Sequence, residues 1–335
     1  MGIDLAFIWA GVVAFAVLTY VIFDGFDLGV GILFPWLKAG HERDIAMNSV
    51  APVWDGNETW LVLGGGALFA AFPLAYAVVL PALYAPLIAM LLGLVFRGVA
   101  FEFRWRTERG KFLWDWAFAS GSTVAALCQG IALGALVQGI KVSGRVYGGG
   151  WYDWLTPFSI LTGVALVIGY ALLGATWLVM KTTGDVQRQA HRFALVSGAG
   201  TVVLIGVVSL WTPFLNPVFM SRWFAFPAIL YTLPVPLAVA VVSLLLLQGL
   251  RAGREVLPFV AALGLFVLSY IGLGISLYPQ IVPPDITIWQ AAAPDHSLAF
   301  LLVGTLILVP IILAYMAHAY WVFRGKVVIT SGYHE

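Results

Sequence analysis

Four carboxylates stand in this sequence where charge is expensive. Asp24 and Asp27 lie three residues apart in Tyr20–Pro35, and Asp55 and Glu58 lie three apart in Pro52–Trp60. Both stretches continue into apolar runs long enough to enter a bilayer. On a helix, a spacing of three puts each pair on neighbouring positions of one face. An ionised carboxylate at bilayer depth costs at least about 2.5 kcal/mol on insertion scales, so such residues normally face a protein interior and act there. The chemistry they can do is proton exchange. Carboxylates take up and release protons, like charges close together oppose simultaneous ionisation, and an arginine stays charged throughout. Arg97 is the cation that could hold one of them. Gly25 and Gly29 form a small-xxx-small pair beside Asp24 and Asp27, which lets another helix approach closely.

The elements that must position these groups are membrane helices. The chain has 335 residues, of which 61% are hydrophobic and 10% charged, with a mean hydropathy of +0.97. Soluble domains carry roughly 25% charged residues, so the composition is that of an integral membrane protein. A net charge of +1 gives no footprint for nucleic acid. The single cysteine, Cys128, allows no intrachain disulfide and no cysteine-based metal cluster. The N-terminal apolar run lacks a basic leader and continues past signal-peptide length, so it is expected to be retained as a span.

Nine hydrophobic spans are expected, near 5–36, 51–72, 75–96, 113–137, 157–180, 193–214, 225–248, 256–277 and 296–323. Continuous apolar runs rather than alternation make them helices, not barrel strands. The expected fold is all-α, one transmembrane domain over 1–335 arranged as two four-helix bundles plus one peripheral helix. The first unit is 1–140, the second comprises 150–250 and 256–277, and the last helix is 296–323. A faint internal repeat agrees with this layout: Tyr20 and His41 recur as Tyr170 and His191, offset by 150 residues. The second copy has Gly174 and Trp177 where the first has Asp24 and Asp27, so the chemistry belongs to the first half.

Basic residues set the expected orientation. With alternate connections assigned to the cytoplasm, 14 of the 17 lysines and arginines fall on that side, and Lys141, Arg145 and Arg222 on the other. The bias predicts an external N-terminus, a cytoplasmic C-terminus and four acids converging in the cytoplasmic half. Arg97–Arg104 closes the third span on this reading, either as a positive-inside anchor or as a functional stretch. The histidines are expected at helix ends or in turns. Met90 and Met316 are available as soft ligands, but no His–His or His–Met pair has a helical spacing that argues for haem ligation, and no metal site is expected. Gly64-Gly65-Gly66 reads as close helix packing.

Asp24-Gly25-Phe26-Asp27-Leu28-Gly29-Val30-Gly31, Pro52-Val53-Trp54-Asp55-Gly56-Asn57-Glu58-Thr59-Trp60 and Phe96-Arg97-Gly98-Val99-Ala100-Phe101-Glu102 resemble subunit II of the cytochrome bd-type ubiquinol oxidases. Their wording and the compact chain length are most similar to the cyanide-insensitive branch. The resemblance implies a heterodimer of two nine-helix subunits in the bacterial inner membrane. Subunit I would carry haem b and haem d, or haem b only, with the loop that oxidises ubiquinol. Subunit II would ligate no haem and would contribute Asp24, Asp27, Asp55, Glu58, Glu102 and Arg97 to a path for protons from the cytoplasm. The family also admits a small accessory single-helix subunit. Where its members often have an aspartate after the Phe-Arg segment, this chain has Glu102. The residues alone admit a second class of function, a proton- or cation-coupled secondary transporter, and a third, a purely structural partner of a catalytic subunit.

Overall fold

A computed structural model describes residues 4–107 and 109–327. The fold is helical throughout apart from two short hairpins, β1–β2 (Val142–Ser143, Val146–Tyr147) and β3–β4 (Gln280–Val282, Ile286–Thr287). The helices run α1 Leu5–Leu33, α2 His41–Val50, α3 Trp54–Ala71, α4 Pro73–Ala82, α5 Tyr84–Arg106, α6 Lys111–Gln138, α7 Pro157–Lys181, α8 Gly184–Trp211, α9 Pro217–Phe224, α10 Ala228–Thr232, α11 Pro234–Arg251, α12 Leu257–Leu277, α13 Ile288–Ala291 and α14 Asp295–Val322. Eight of the long helical segments are apolar enough to cross a membrane: α1, α5, α6, α7, α8, α10 with α11, α12 and α14. The chain is an integral membrane protein.

α3 is the exception among the long helices. It has 18 residues, and Asp55, Asn57, Glu58, Thr59 and four glycines dilute its apolar content. The expected span at 75–96 is displaced as well. The helix breaks at Leu83 between Pro81 and Pro86, because proline donates no backbone N–H and crowds the preceding turn. After the break, α5 runs on to Arg106, so Arg97 and Glu102 lie within a helix and not in a hydrophilic connection.

Two helices form the centre. Every residue from Asp24 to Leu33 in α1, and every residue from Gly169 to Val179 in α7, is buried. A helix buried on all sides can carry no polar face to solvent, so its polar groups must find partners within the protein. The two cross where Gly29 meets the backbone of Tyr170 and Gly174, and a Cβ on either glycine would collide with the other chain segment. Phe26 stacks on Trp177 beside the crossing, with ring centroids 4.2 Å apart. Gly25 faces the Tyr170 ring. Gly65 and Gly66 have no neighbouring atoms where a Cβ would stand, and Gly64 meets α1 only at ordinary contact distance. The close packing is therefore made at Gly29 and Gly174, not at the glycine triplet.

Caps and cross-links finish the two ends of the bundle. Asp4 caps α1 by accepting from the Phe7 amide at 2.9 Å and also accepts from the Trp289 indole at 2.8 Å. At the opposite end, Arg104 is buried and donates to Asp115 at 2.5 Å and to Asp44 at 2.7 Å. Arg43 donates to the other oxygen of Asp115 at 2.7 Å and to the carbonyls of Leu37 and Pro35. This network ties α2, α5 and α6 to the turn that follows α1.

The segment after α14 returns over the same end. The Val327 amide donates to the Lys181 carbonyl at 2.8 Å, and Lys326 pairs with Glu255 at 2.9 Å. The Lys326 ammonium, and then the Gln187 amide, hold the Glu255 carboxyl below the ordinary glutamate range. A depressed folded value contributes stability above the unfolded value, and that contribution is lost as pH falls through the folded value. The strap should therefore loosen below about pH 4 and in high salt. A fall in the protection of the Val327 amide, relative to its intrinsic exchange rate, on acidification measures it, and Glu255→Gln should remove the acid dependence.

Candidate functional site

Glycine contacts deliver Arg97 to the interior. Gly93 of α5 and Gly121 of α6 abut so closely that a Cβ on Gly121 would lie 2.5 Å from the Gly93 carbonyl oxygen and 3.0 Å from the Arg97 nitrogen. That approach seats α5 deeply, and the Arg97 side chain, fully buried, extends towards α1 and α3. Its Nη2 lies 2.7 Å from Asp24 Oδ1 and 3.6 Å from Asp27 Oδ2, and its Nη1 donates to Glu58 Oε2 at 3.1 Å. Trp54 and Phe101 wall the guanidinium, each with a ring centroid 5.8 Å from Cζ. They stack on each other 4.6 Å apart.

One arginine thus faces three carboxylates drawn from α1 and α3. The anchor reading of Arg97 is overturned, because a positive-inside anchor would stand in water or headgroups. Asp24 and Asp27 are wholly enclosed, whereas the Glu58 side chain keeps 27% of its surface exposed. Cation and carboxylates offset each other only in part. One guanidinium balances one carboxylate, and a neutral cluster needs a proton on each of the other two.

Two of the expected site residues stand apart from the cluster. Asp55 lies on the exposed side of α3. Glu102 is exposed on α5 and pairs with Arg106 at 3.9 Å. The expected convergence of four acids therefore becomes a convergence of three. Several groups that sequence reasoning passed over complete the polar interior. Asn57 donates to Asp27 Oδ2 at 2.7 Å and accepts from the Tyr320 hydroxyl at 2.8 Å. Gln129 donates to the Tyr20 hydroxyl at 2.6 Å and accepts from Tyr170 at 2.9 Å. Tyr20 is one helical turn from Asp24, and Tyr20 and Tyr170 are the two tyrosines of the internal repeat. Their shared offset was the available signal; the glutamine between them had none. For Arg104 the signal was its position seven residues after Arg97, two turns on along the same face.

His41, His296 and His318 are exposed and His191 is half-buried. Met316 accepts from the Trp60 indole at 2.8 Å. These residues do not fit an axial haem pair, and among the described residues no group of three or more His, Cys, Asp or Glu side chains could hold a metal ion.

Fold and site together define a polytopic helical membrane protein built around a buried carboxylate–arginine cluster. The family model for cytochrome bd terminal oxidase subunit II matches residues 5–323, and the chain belongs to that family. It is 31% identical to cytochrome bd-I ubiquinol oxidase subunit 2 of Escherichia coli (strain K12), over 96% of this chain and 95% of that one. It is 30% identical to cytochrome bd ubiquinol oxidase subunit 2 of Bacillus subtilis (strain 168), over 96% of both. The structure of bd oxidase from Geobacillus thermodenitrificans shares the fold, with a TM-score of 0.78 at 16% identity over 96% of this chain and 99% of that one. Family membership selects the oxidase reading over the transporter.

Proposed function

We propose that this chain pairs with a haem-bearing subunit I in an oxidase that takes electrons from ubiquinol and reduces dioxygen to water. Its own part is to stabilise that subunit and to feed protons towards it from the cytoplasm. Haem b and haem d, or haem b alone, belong to subunit I on this reading, and a small single-helix accessory subunit is compatible with it. Nine helices, counting α3, would span the bacterial inner membrane as two four-helix units and a last helix over 296–323. The basic end of the bundle would face the cytoplasm, with the N-terminus outside. A reporter fused after Glu335 should therefore behave as cytoplasmic; an external location would reverse the orientation.

The observation that carries the proton role is Arg97 shared by Asp24, Asp27 and Glu58. Reducing dioxygen to water consumes four protons, and a buried site needs titratable groups to supply them. Arg97 keeps its charge and cannot relay, so it fixes the carboxylates while they exchange protons. On this reading Asp55, exposed one turn before Glu58, passes protons to it, and water bypasses the exposed Glu102.

Asparagine has nearly the shape of aspartate but cannot titrate. Asp24→Asn in the assembled oxidase should slow quinol-driven oxygen consumption more than about tenfold, or 1.4 kcal/mol on the barrier. Haem content should stay near normal. Lost haem together with lost activity would assign Asp24 to assembly, and unchanged turnover would remove it from the path. Glu102→Gln should have the smaller effect.

A further inference from the structure

The cluster is bounded by carboxamides on its two enclosed sides. From Asp27 the hydrogen-bonded chain runs to Asn57 and then to Tyr320; beside Asp24 stand Tyr20, Gln129 and Tyr170 in a second chain. Asn57 is wholly buried. A carboxamide has an N–H face and a carbonyl face, and here each face is engaged: Asn57 donates to Asp27 and accepts from Tyr320, and Gln129 donates to Tyr20 and accepts from Tyr170. Handing a proton through such a group would require it to pass through an imidic acid tautomer, whereas a carboxylate or hydroxyl in the same place would need only to rotate. The first chain holds Asp27 through the Asn57 amide, and the second ends on the Tyr20 hydroxyl one helical turn from Asp24; a carboxamide interrupts each, so both conduct poorly. Among the three acids on Arg97, only Glu58 has exposed surface, with 27% against 0% for Asp24 and Asp27.

We propose that Asn57 and Gln129 are positioning residues that fence the cluster, and that Asp24 and Asp27 exchange protons with the outside of the chain through Glu58 alone. The proposal rests on the proton-uptake reading above and adds a direction to it. Asn57 and Gln129 would keep the acids from leaking protons towards Tyr320 and Tyr170, the tyrosines at the far ends of the two chains. Asp55, the exposed acid one turn from Glu58, would serve Glu58 and no other member of the cluster.

The test uses the whole oxidase in native membranes, reading haem content and quinol-driven oxygen consumption together. Glu58→Gln should lower turnover at least about tenfold with haem retained. Adding Asn57→Asp, which is nearly isosteric, sets a titratable group between Asp27 and Tyr320 and opens a second route, so the double variant should regain about threefold of the lost rate. Adding Asn57→Leu to Glu58→Gln should regain nothing, which separates a new proton route from altered packing. If Asn57→Asp prevents haem incorporation, Glu58→Gln with Gln129→Glu carries the same test. Full turnover in Glu58→Gln while Asp24→Asn is slow would overturn the fence and leave the uptake role standing. Full turnover in both would end both. A double variant no faster than Glu58→Gln would show that the carboxamides are not what closes the other routes.

Discussion

Gly29→Ala is expected to abolish stable assembly. The added methyl would collide with the Tyr170 carbonyl oxygen and lie 2.7 Å from the Gly174 nitrogen, and both are backbone atoms that no rotamer change can move. Relief would require α1 and α7 to separate along their crossing. That would open the Phe26–Trp177 stack and the buried stretches on both helices at once. Overpacking a well-filled core costs about 1–3 kcal/mol when side chains can adjust, and more is expected where only backbone can yield. Gly206→Ala is the control. No atom lies within 4 Å of a Cβ there, and alanine improves helix propensity by up to about 1 kcal/mol. Yield of haem-containing complex and its thermal midpoint in detergent measure both variants. Equal yields would show that the crossing is looser than its geometry.

The sequence made the acids conspicuous because charge in an apolar run has few explanations. Asp24, Asp27 and Glu58 stood out for that reason, and the same logic brought Arg97 into consideration. Its reach was hidden. A cation near a helix end reads equally as an anchor, and only the Gly93–Gly121 approach, a contact between two distant segments, turns Arg97 inward. Asp55 stands apart from Arg97 for a geometric reason. Three residues correspond to about 300° of helical rotation, so i and i+3 differ by about 60°. On a helix at the edge of the buried region, that is enough to leave Asp55 outside while Glu58 touches Arg97.

Span boundaries failed where proline intervened. Hydropathy alone ran one span over 75–96, across Pro81 and Pro86, but the chain turns at Leu83 and begins a new helix that carries its arginines inside. That helix continues to Arg106 because Arg97 and Arg104 both find buried carboxylates. The carboxamide links through Asn57 and Gln129 are tertiary, and nothing in local pattern marks an uncharged amide as a joint between distant helices.

Arg97→Met should be the most damaging single change at the site, and its rescue identifies the cause. Methionine fills much of the same volume and packs against Trp54 and Phe101, so the side chain's bulk is largely kept. What is lost is the one cation that, among the described residues, reaches Asp24, Asp27 and Glu58. Breaking a buried ion pair by removing one partner typically costs about 3–5 kcal/mol, because the remaining charge is left unpaired. Here two fully enclosed carboxylates are left, and the expected result is little or no haem-containing complex. Arg97→Lys should recover only part of the loss, since a single ammonium cannot reach three carboxylates as the two Nη groups do. Removing the charges on both sides should do better. Arg97→Met combined with Asp24→Asn and Asp27→Asn leaves no buried charge in α1 or α5 at this level, so assembly and thermal midpoint should return towards normal while turnover stays low. Such non-additivity is the signature of a direct interaction. If the triple variant were as poorly assembled as Arg97→Met, the guanidinium would be acting through its packing on Trp54 and Phe101, and the electrostatic account of the cluster would fail.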